Sequence, residues 1–357
     1  PAVVHCVTVV LASAMAVAEK FGDITGKNLI SAVALGVDVA CILGVAAKSG
    51  LRFFRPATAG TFGATMAIGK LRGFDREQLI RACSIAFGQI GGTMQAHTEG
   101  SSLLAVQMGF AARNAVIACD LAAAGIDGPR EIIEGEYGYL KLIEDGYDFG
   151  QLLVNLGQDW QITKVAHKPF PSGRATHGIV DCCLELRKKY NILADKITSV
   201  VCDVPPLIHQ LVGRHPNKNM TPNYARLCGP YTVARALMHG TVDVSHYRLE
   251  QIADNIAQEL ATRIEMPIDN NPDPNALTPV RVTINLKDGQ SFTAMREFVL
   301  GNPKNPLGQA GHLEKFRNNC ASAQPTIISS QAEELIKRTT NLEQENDVAN
   351  LVDLLIA

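Results

Sequence analysis

Residues 28–47, NLISAVALGVDVACILGVAA, decide the fold class. Written as a helix, this stretch is apolar on nearly every face and carries one charge, Asp38, so it has to be enclosed by other helices. Asp38 in such a run either has a perturbed pKa or binds the end of a neighbouring helix. The flanking segments extend the pattern. From residue 2 to about residue 125 one helix-like segment follows another across glycine joints. Residues 75–90 open with Asp75 and Gln78 at capping-box spacing. Residues 102–124 end at Gly125, a C-cap position, and Pro129 is placed to open a short helix. Small residues dominate these segments, which lets helices approach closely. The first part therefore reads as an all-α bundle.

The character changes near residue 160. WQITKVAHK (160–168) reads as extended, KITSVVCDV (196–204) as a β-branched strand, and VRVTINLKDGQSFTAMREF (280–298) as a hairpin turning at Asp288-Gly289. Helical stretches at 175–190, 229–239 and 248–261 lie between them. Helical patterns return at 309–321, 329–341 and 346–356. The expected architecture is mainly α: a large helical bundle domain with an inserted, smaller α+β domain. The expected division is 1–163 for the helical domain, 164–308 for the α+β domain and 309–357 for C-terminal helices that rejoin the bundle. A small-molecule cleft is expected where the two domains join. GATMAIGK (63–70) misses phosphate-loop spacing by one residue and lacks the Ser or Thr. No strand precedes a G-x-G-x-x-G, so a dinucleotide fold does not fit.

Composition bounds the function. Lys plus Arg total 33 against 35 acids over 357 residues, which gives none of the basic excess of a nucleic-acid binder. The nine cysteines are scattered and contain no C-x-x-C, which points to a reducing, cytoplasmic setting. It also argues against an iron–sulfur cluster or a cysteine-rich zinc site, so no metal and no cofactor is expected. The opening residues PAVVHCVTVVLASAMAVA lack a basic leader and read as a buried helix, with no membrane partner. Pro1 stands inside a helix-like pattern, so further natural sequence is expected upstream.

Three cations fall within KPFPSGRATHG (168–178). Two prolines stiffen the backbone ahead of Gly173, and from Arg174 the segment reads as a helix start with its own partial positive charge. Lys168, Arg174 and His177 could converge there on a carboxylate, which Arg grips through two hydrogen bonds. An exposed loop before a well-made helix has the same spacing. His5 lies in a helix with no charge before Glu19, where a lone histidine is more often a bonded core residue than a catalyst. Tyr231 follows Gly229-Pro230 at a helix start, a common packing position. Arg55 precedes a run of small residues that permits close approach of a ligand or a helix. QAHTEGSS (95–102) reads as a capped loop that could also supply anion contacts through His97.

The order of VVHCVTVVLASAMAVAE, RPATAGTFGA, GFAARNAVIACDLAAAGIDGP, KPFPSGRATHGIVD, CGPYTVARAL and GNPKNPLG followed by LEKF resembles the MmgE/PrpD family, proteins related to 2-methylcitrate dehydratase, over essentially the whole chain. The resemblance implies a two-domain fold, a homodimer, and metal-independent chemistry on small polycarboxylates, with a proton removed or delivered next to a carboxylate. It assigns catalytic roles to His5, Lys168 and Tyr231, and places the family's acidic motif just before Pro1. Arg55, Arg174, His177 and Gln107 are the substrate-binding candidates. Phe54 and Leu104 stand where relatives carry histidine and lysine, Gln107 replaces a second histidine, and Gly173 replaces Cys or His. The leading expectation is a 2-methylcitrate dehydratase-like hydro-lyase. The alternatives are an epimerase of a dicarboxylate such as iminodisuccinate, which needs two bases on opposite faces of one carbon, and a non-catalytic dimeric homologue.

Overall fold

Backbone contact between glycines lets two helices of the first unit approach closely. A Cβ placed on Gly63 would lie 2.3 Å from the carbonyl oxygen of Gly36, and one on Gly36 would lie 2.5 Å from that of Gly63. The helices that carry them, α2 (Gly26–Ala46) and α3 (Arg55–Leu71), therefore touch main chain to main chain. This is the reason the small-residue runs of the sequence exist.

The computed structural model describes residues 2–144, 146–273 and 275–356. The chain divides into two units. The first comprises Pro1–Met94, Leu103–Lys164 and Leu313–Ala357, and the second Gln95–Ser102 and Val165–His312.

In the first unit α1 (Cys6–Phe21), α2, α3, α4 (Arg76–Phe87) and α5 (Leu103–Ala123) form the bundle. α3 is central and contacts the other four. Although α2 is long and apolar enough to cross a membrane, α1, α3, residues 161–164 and residues 342–344 pack around it. Asp38, buried within α2, accepts the backbone N–H of Gln161 at 2.8 Å, so it binds the start of a neighbouring 3-10 turn. The Asp75–Gln78 capping box forms, with reciprocal bonds of 2.8 and 3.0 Å. Four local expectations differ from the structure, one of them the stretch 248–261, which is two short helices, Leu249–Ile252 and Asn255–Ala261, in place of one. Gln161–Lys164 is a 3-10 turn and not extended. Pro129 leads into turns, and the next helical turn is Tyr139–Leu142. Residues 346–356 form two 3-10 turns, Val348–Leu351 and Asp353–Leu355, in place of one helix.

In the second unit α6 (His177–Tyr190), β1 (Ile197–Asp203), α7 (Gly229–His239), α8 (Asn255–Ala261), β2 (Ile264–Glu265), β3 (Val280–Leu286) and β4 (Ser291–Arg296) follow in chain order. The sheet order is β2-β1-β3-β4; β1 runs parallel to β2 and antiparallel to β3, and β3 is antiparallel to β4. The hairpin turns at Asp288-Gly289, with Gly289 at φ 87, a conformation glycine adopts freely. α6 covers β3 and β4, and α7 packs on α6 and α8. Their shared core includes Ile179, Cys183, Val200, Tyr231, Val233, Tyr247, Val282 and Ile284. Arg296 pins α6 to the sheet edge through Asp181 (2.9 Å) and Glu185.

Gln95–Ser102 belongs to this second unit although it lies between two bundle helices in sequence. Arg214 donates to the carbonyl of His97 at 2.8 Å, Thr221 to that of Gly100 at 3.2 Å, and Asn223 to that of Ser101 at 2.7 Å. Gly100, at φ +68, sits where a Cβ would lie 2.7 Å from that of Tyr224.

Candidate active site

The loop from Lys168 to His177 is built by its two prolines and by bonds to its own backbone. Gly173 has an ordinary φ of −57 and donates its N–H to the carbonyl of Arg226 at 2.9 Å. Arg174–Thr176 forms a 3-10 turn that feeds α6. Thr176 Oγ1 donates to the Gly173 carbonyl at 2.9 Å and lies 2.7 Å from Ser172 Oγ. Lys168 Nζ folds back over the loop to the Ser172 carbonyl, a long bond of 3.4 Å. Burial lowers the pKa of the Arg174 guanidinium, and its Nη1 has no hydrogen-bond partner among the described residues. His177 is fully buried, edge-on to the Phe170 ring at 5.4 Å. Lys168 and Arg174 thus share one half-buried loop, with an arginine nitrogen left over for an anion, while His177 belongs to the packing beneath it.

Tyr231 lies in the same unit but in its core, with 0% exposure. Its hydroxyl donates to the His246 carbonyl at 2.6 Å and accepts from Arg235 Nε at 3.0 Å. Arg235, equally buried, bonds Asp254 at 3.1 Å. Burial raises the phenol's pKa. The hydroxyl expected to do acid–base work is committed to a structural network.

The remaining candidates lie in the helical unit. Arg55 is 1% exposed and forms a two-point ion pair with Glu144, Nε to Oε1 at 2.8 Å and Nη2 to Oε2 at 2.9 Å. Ser49 Oγ donates to the same carboxylate at 2.5 Å, and the Tyr139 hydroxyl lies 3.4 Å from it. The carboxylate that Arg55 grips is one of the protein's own. His5 is exposed, in the left-handed region (φ 42, ψ 40), directly before α1. The thiol of Cys6 beside it is held below its ordinary pKa by a hydrogen bond to Cys41. Gln107 is buried, and its Nε2 has no hydrogen-bond partner among the described residues. It lines a cavity of about 220 Å³ with Thr61, Gln89, Gly92, Arg113 and Asn114. No group of three or more His, Cys, Asp or Glu side chains is arranged to hold a metal among the described residues.

His97 is buried, with Arg214 against both its carbonyl and its ring nitrogen. Burial first, and the Arg214 charge second, push its pKa down to about 4 from 6.5. A histidine neutral when folded and protonated when unfolded contributes stability above pH 6.5, and that contribution is lost as the pH falls through about 4. The loss is of order 3 kcal/mol. The melting temperature of the protein should fall between pH 6.5 and 4, and less steeply in His97→Gln; equal slopes would count against this account.

Both halves of the chain match one family. The N-terminal domain model of MmgE/PrpD covers residues 1–152 and its C-terminal domain model residues 170–344. The chain belongs to the MmgE/PrpD family. It is 29% identical to human cis-aconitate decarboxylase over 97% of this chain and 72% of that protein. It is 27% identical to the mouse enzyme of that name (93% and 68%) and 26% to that of Aspergillus terreus (98% and 76%).

The surroundings of Phe54, Leu104 and Gly173, where the MmgE/PrpD resemblance leads to the expectation of other residues, are apolar. Phe54 belongs to one apolar cluster with Ala57, Ile68 and Ala111, and Leu104 packs against that cluster, so neither position, expected from the resemblance to be histidine and lysine, carries a charge here. At Gly173 a Cβ would lie 2.9 Å from Leu227 Cδ2 and 3.4 Å from Val212 Cγ1. A larger residue there requires Leu227 to move. Sequence reasoning missed Glu144, Arg214 and Arg235. Glu144 lies 89 positions from Arg55, and no local pattern marks it as a partner.

Proposed function

We propose that this MmgE/PrpD protein is a lyase acting on a small polycarboxylate, with Arg174 holding a carboxylate and Lys168 moving a proton next to it. The observation that carries this reading is the Arg174 nitrogen without a partner among the described residues, on the same short loop as Lys168. The relatives' name, cis-aconitate decarboxylase, supports the substrate class. A carbanion or enolate next to a carboxylate needs nearby cations and a proton donor, and an ammonium and a guanidinium are suited to that task. His5 is the second proposed acid–base group. The protein is proposed to act in the cytoplasm and as a homodimer; the exposed apolar side chains of Leu103, Val106, Phe110, Ile117 and Leu121 on α5 support the second of these.

Two finer reactions are compatible with these parts. In dehydration of a 2-methylcitrate-like hydroxy acid, a C–H proton goes to a base and the C–O bond breaks, so that hydroxide leaves and is protonated to water. In decarboxylation of a cis-aconitate-like acid, a C–C bond breaks, CO₂ leaves, and the carbon takes up a proton; the relatives' name favours this second reading. Incubation with 2-methylcitrate, citrate and cis-aconitate, followed by ultraviolet absorbance and CO₂ release, tests both. New alkene without CO₂ establishes dehydration, and CO₂ establishes decarboxylation. Solvent-deuterium incorporation with neither product would replace the lyase by an epimerase, and no turnover of any acid would make the chain a non-catalytic homologue.

A further inference from the structure

The cavity of about 220 Å³ beside Gln107 lies within the helical unit, and every residue that lines it belongs to that unit. Gln107, on α5, is 7% exposed, and its Nε2 has no hydrogen-bond partner among the described residues. Gly92 closes on the other end of the amide: a Cβ there would lie 2.5 Å from Gln107 Oε1, so the loop backbone holds the side chain where it is. A buried amide donor without an acceptor costs stability, and such a group calls for an occupant of the space it faces.

The rest of the lining defines that occupant. Thr61 Oγ1 commits its proton to the Ala57 carbonyl at 2.6 Å, and the Asn114 amide donates to the Gln89 carbonyl at 2.9 Å. Among the described residues that line the cavity, Arg113 alone is charged. It is exposed, so the cation stands at the mouth. Its Nε and Nη2 lie 3.3 and 3.1 Å from Asn114 Oδ1, and its guanidinium lies 5.0 Å from the centre of the Phe110 ring, which orders it before any ligand arrives. An unmet N–H donor and one cation, with no carboxylate among those residues, select an anion. Ala57, Phe110 and Ala111 give the same cavity an apolar wall, which suits a hydrocarbon tail and not a phosphate. At about 30 Å³ per water-sized group, the space takes about seven non-hydrogen atoms.

We propose that this cavity binds a short-chain monocarboxylate, with one carboxylate oxygen on Gln107 Nε2, the charge facing Arg113 and the alkyl tail on Ala57, Phe110 and Ala111. The ligand differs in class from the polycarboxylate proposed for the Lys168–Arg174 loop, and its binding requires no turnover, so the two readings stand or fail separately.

Butyrate is the probe, with butyramide as its uncharged isostere and citrate as an oversized acid. In protein labelled with ¹⁵N-glutamine, the Gln107 side-chain amide, identified by its loss in Gln107→Met, should shift saturably with butyrate and stay in place with butyramide and with citrate. Equilibrium dialysis should give one butyrate site per chain, weakened about tenfold or more in Arg113→Gln and in Gln107→Met. Because Arg113 is exposed, its variant keeps the fold and decides the matter even where Gln107→Met does not fold. An amide unmoved by butyrate, an equal response to butyramide, or unchanged affinity in Arg113→Gln overturns the proposal. A response to citrate equal to that to butyrate also overturns it and would assign the cavity to the polycarboxylate instead.

Discussion

Arg55→Ala should destabilise the helical unit by about 3–5 kcal/mol, enough to populate its unfolded form at physiological temperature. Glu144 is 3% exposed, and without the guanidinium its carboxylate would keep, among the described residues, the hydroxyls of Ser49 and Tyr139. A buried carboxylate stripped of its cation is more costly than the pair was beneficial. The double variant Arg55→Met/Glu144→Leu should therefore recover most of the loss, since removing both charges removes the penalty. Urea unfolding followed by circular dichroism, with hydrogen exchange on α3, separates the cases. If Arg55→Ala costs less than about 1 kcal/mol, the pair behaves as an exposed bridge and the assignment of Arg55 to structure fails.

The second large effect is expected at Lys168. Lys168→Ala should lower kcat about 10²–10⁴-fold, the usual loss for a proton-transfer group. Lys168→Arg should not rescue, because arginine retains its proton at any working pH. Tyr231→Phe is the instructive contrast. It leaves the His246 carbonyl without its 2.6 Å donor and should cost about 1–3 kcal/mol of stability, with a far smaller change in kcat than Lys168→Ala. Steady-state kinetics on folded protein, normalised by active fraction, checks both. Equal losses in kcat for the two variants would restore Tyr231 to the chemistry.

Much of the architecture could be read from local pattern, because local pattern has a direct physical cause. A run apolar on every face needs enclosure, and α2 is enclosed. Asp75 and Gln78 at capping spacing cap α4, and Asp-Gly between alternating runs makes the β3–β4 turn. The failures share a different cause. Trp160 to Lys164 carries the composition of a strand but, among the described residues, has no strand beside it to pair with, and a 3-10 turn forms in its place at Gln161–Lys164. The pattern of 346–356 reads as helical, yet Asp347 caps Ala349 and the segment is divided into two short turns.

For the candidate site, spacing was enough to bring Lys168 and Arg174 onto one loop. Spacing could not show which way Tyr231 faces, since a Gly-Pro start fixes where a helix begins and not its rotation against the core. Nor could it show that Arg55 already has a carboxylate. That fact depends on a partner supplied by a distant turn, and it separates an anion clamp from a structural ion pair.

The passage of the chain between its units has a consequence for fragment work and for gene recombination. The backbone changes unit at 94/95, 102/103, 164/165 and 312/313, so neither unit is an unbroken stretch of the gene. A truncation that expresses 165–312 alone discards Gln95–Ser102, and with it the acceptors for Arg214, Thr221 and Asn223. A chimera with crossovers only at 164/165 and 312/313 would pair one parent's 95–102 with the other parent's 214–223. Shuffling of this gene with a relative should therefore tolerate exchange of the second unit only when both segments come from the same parent.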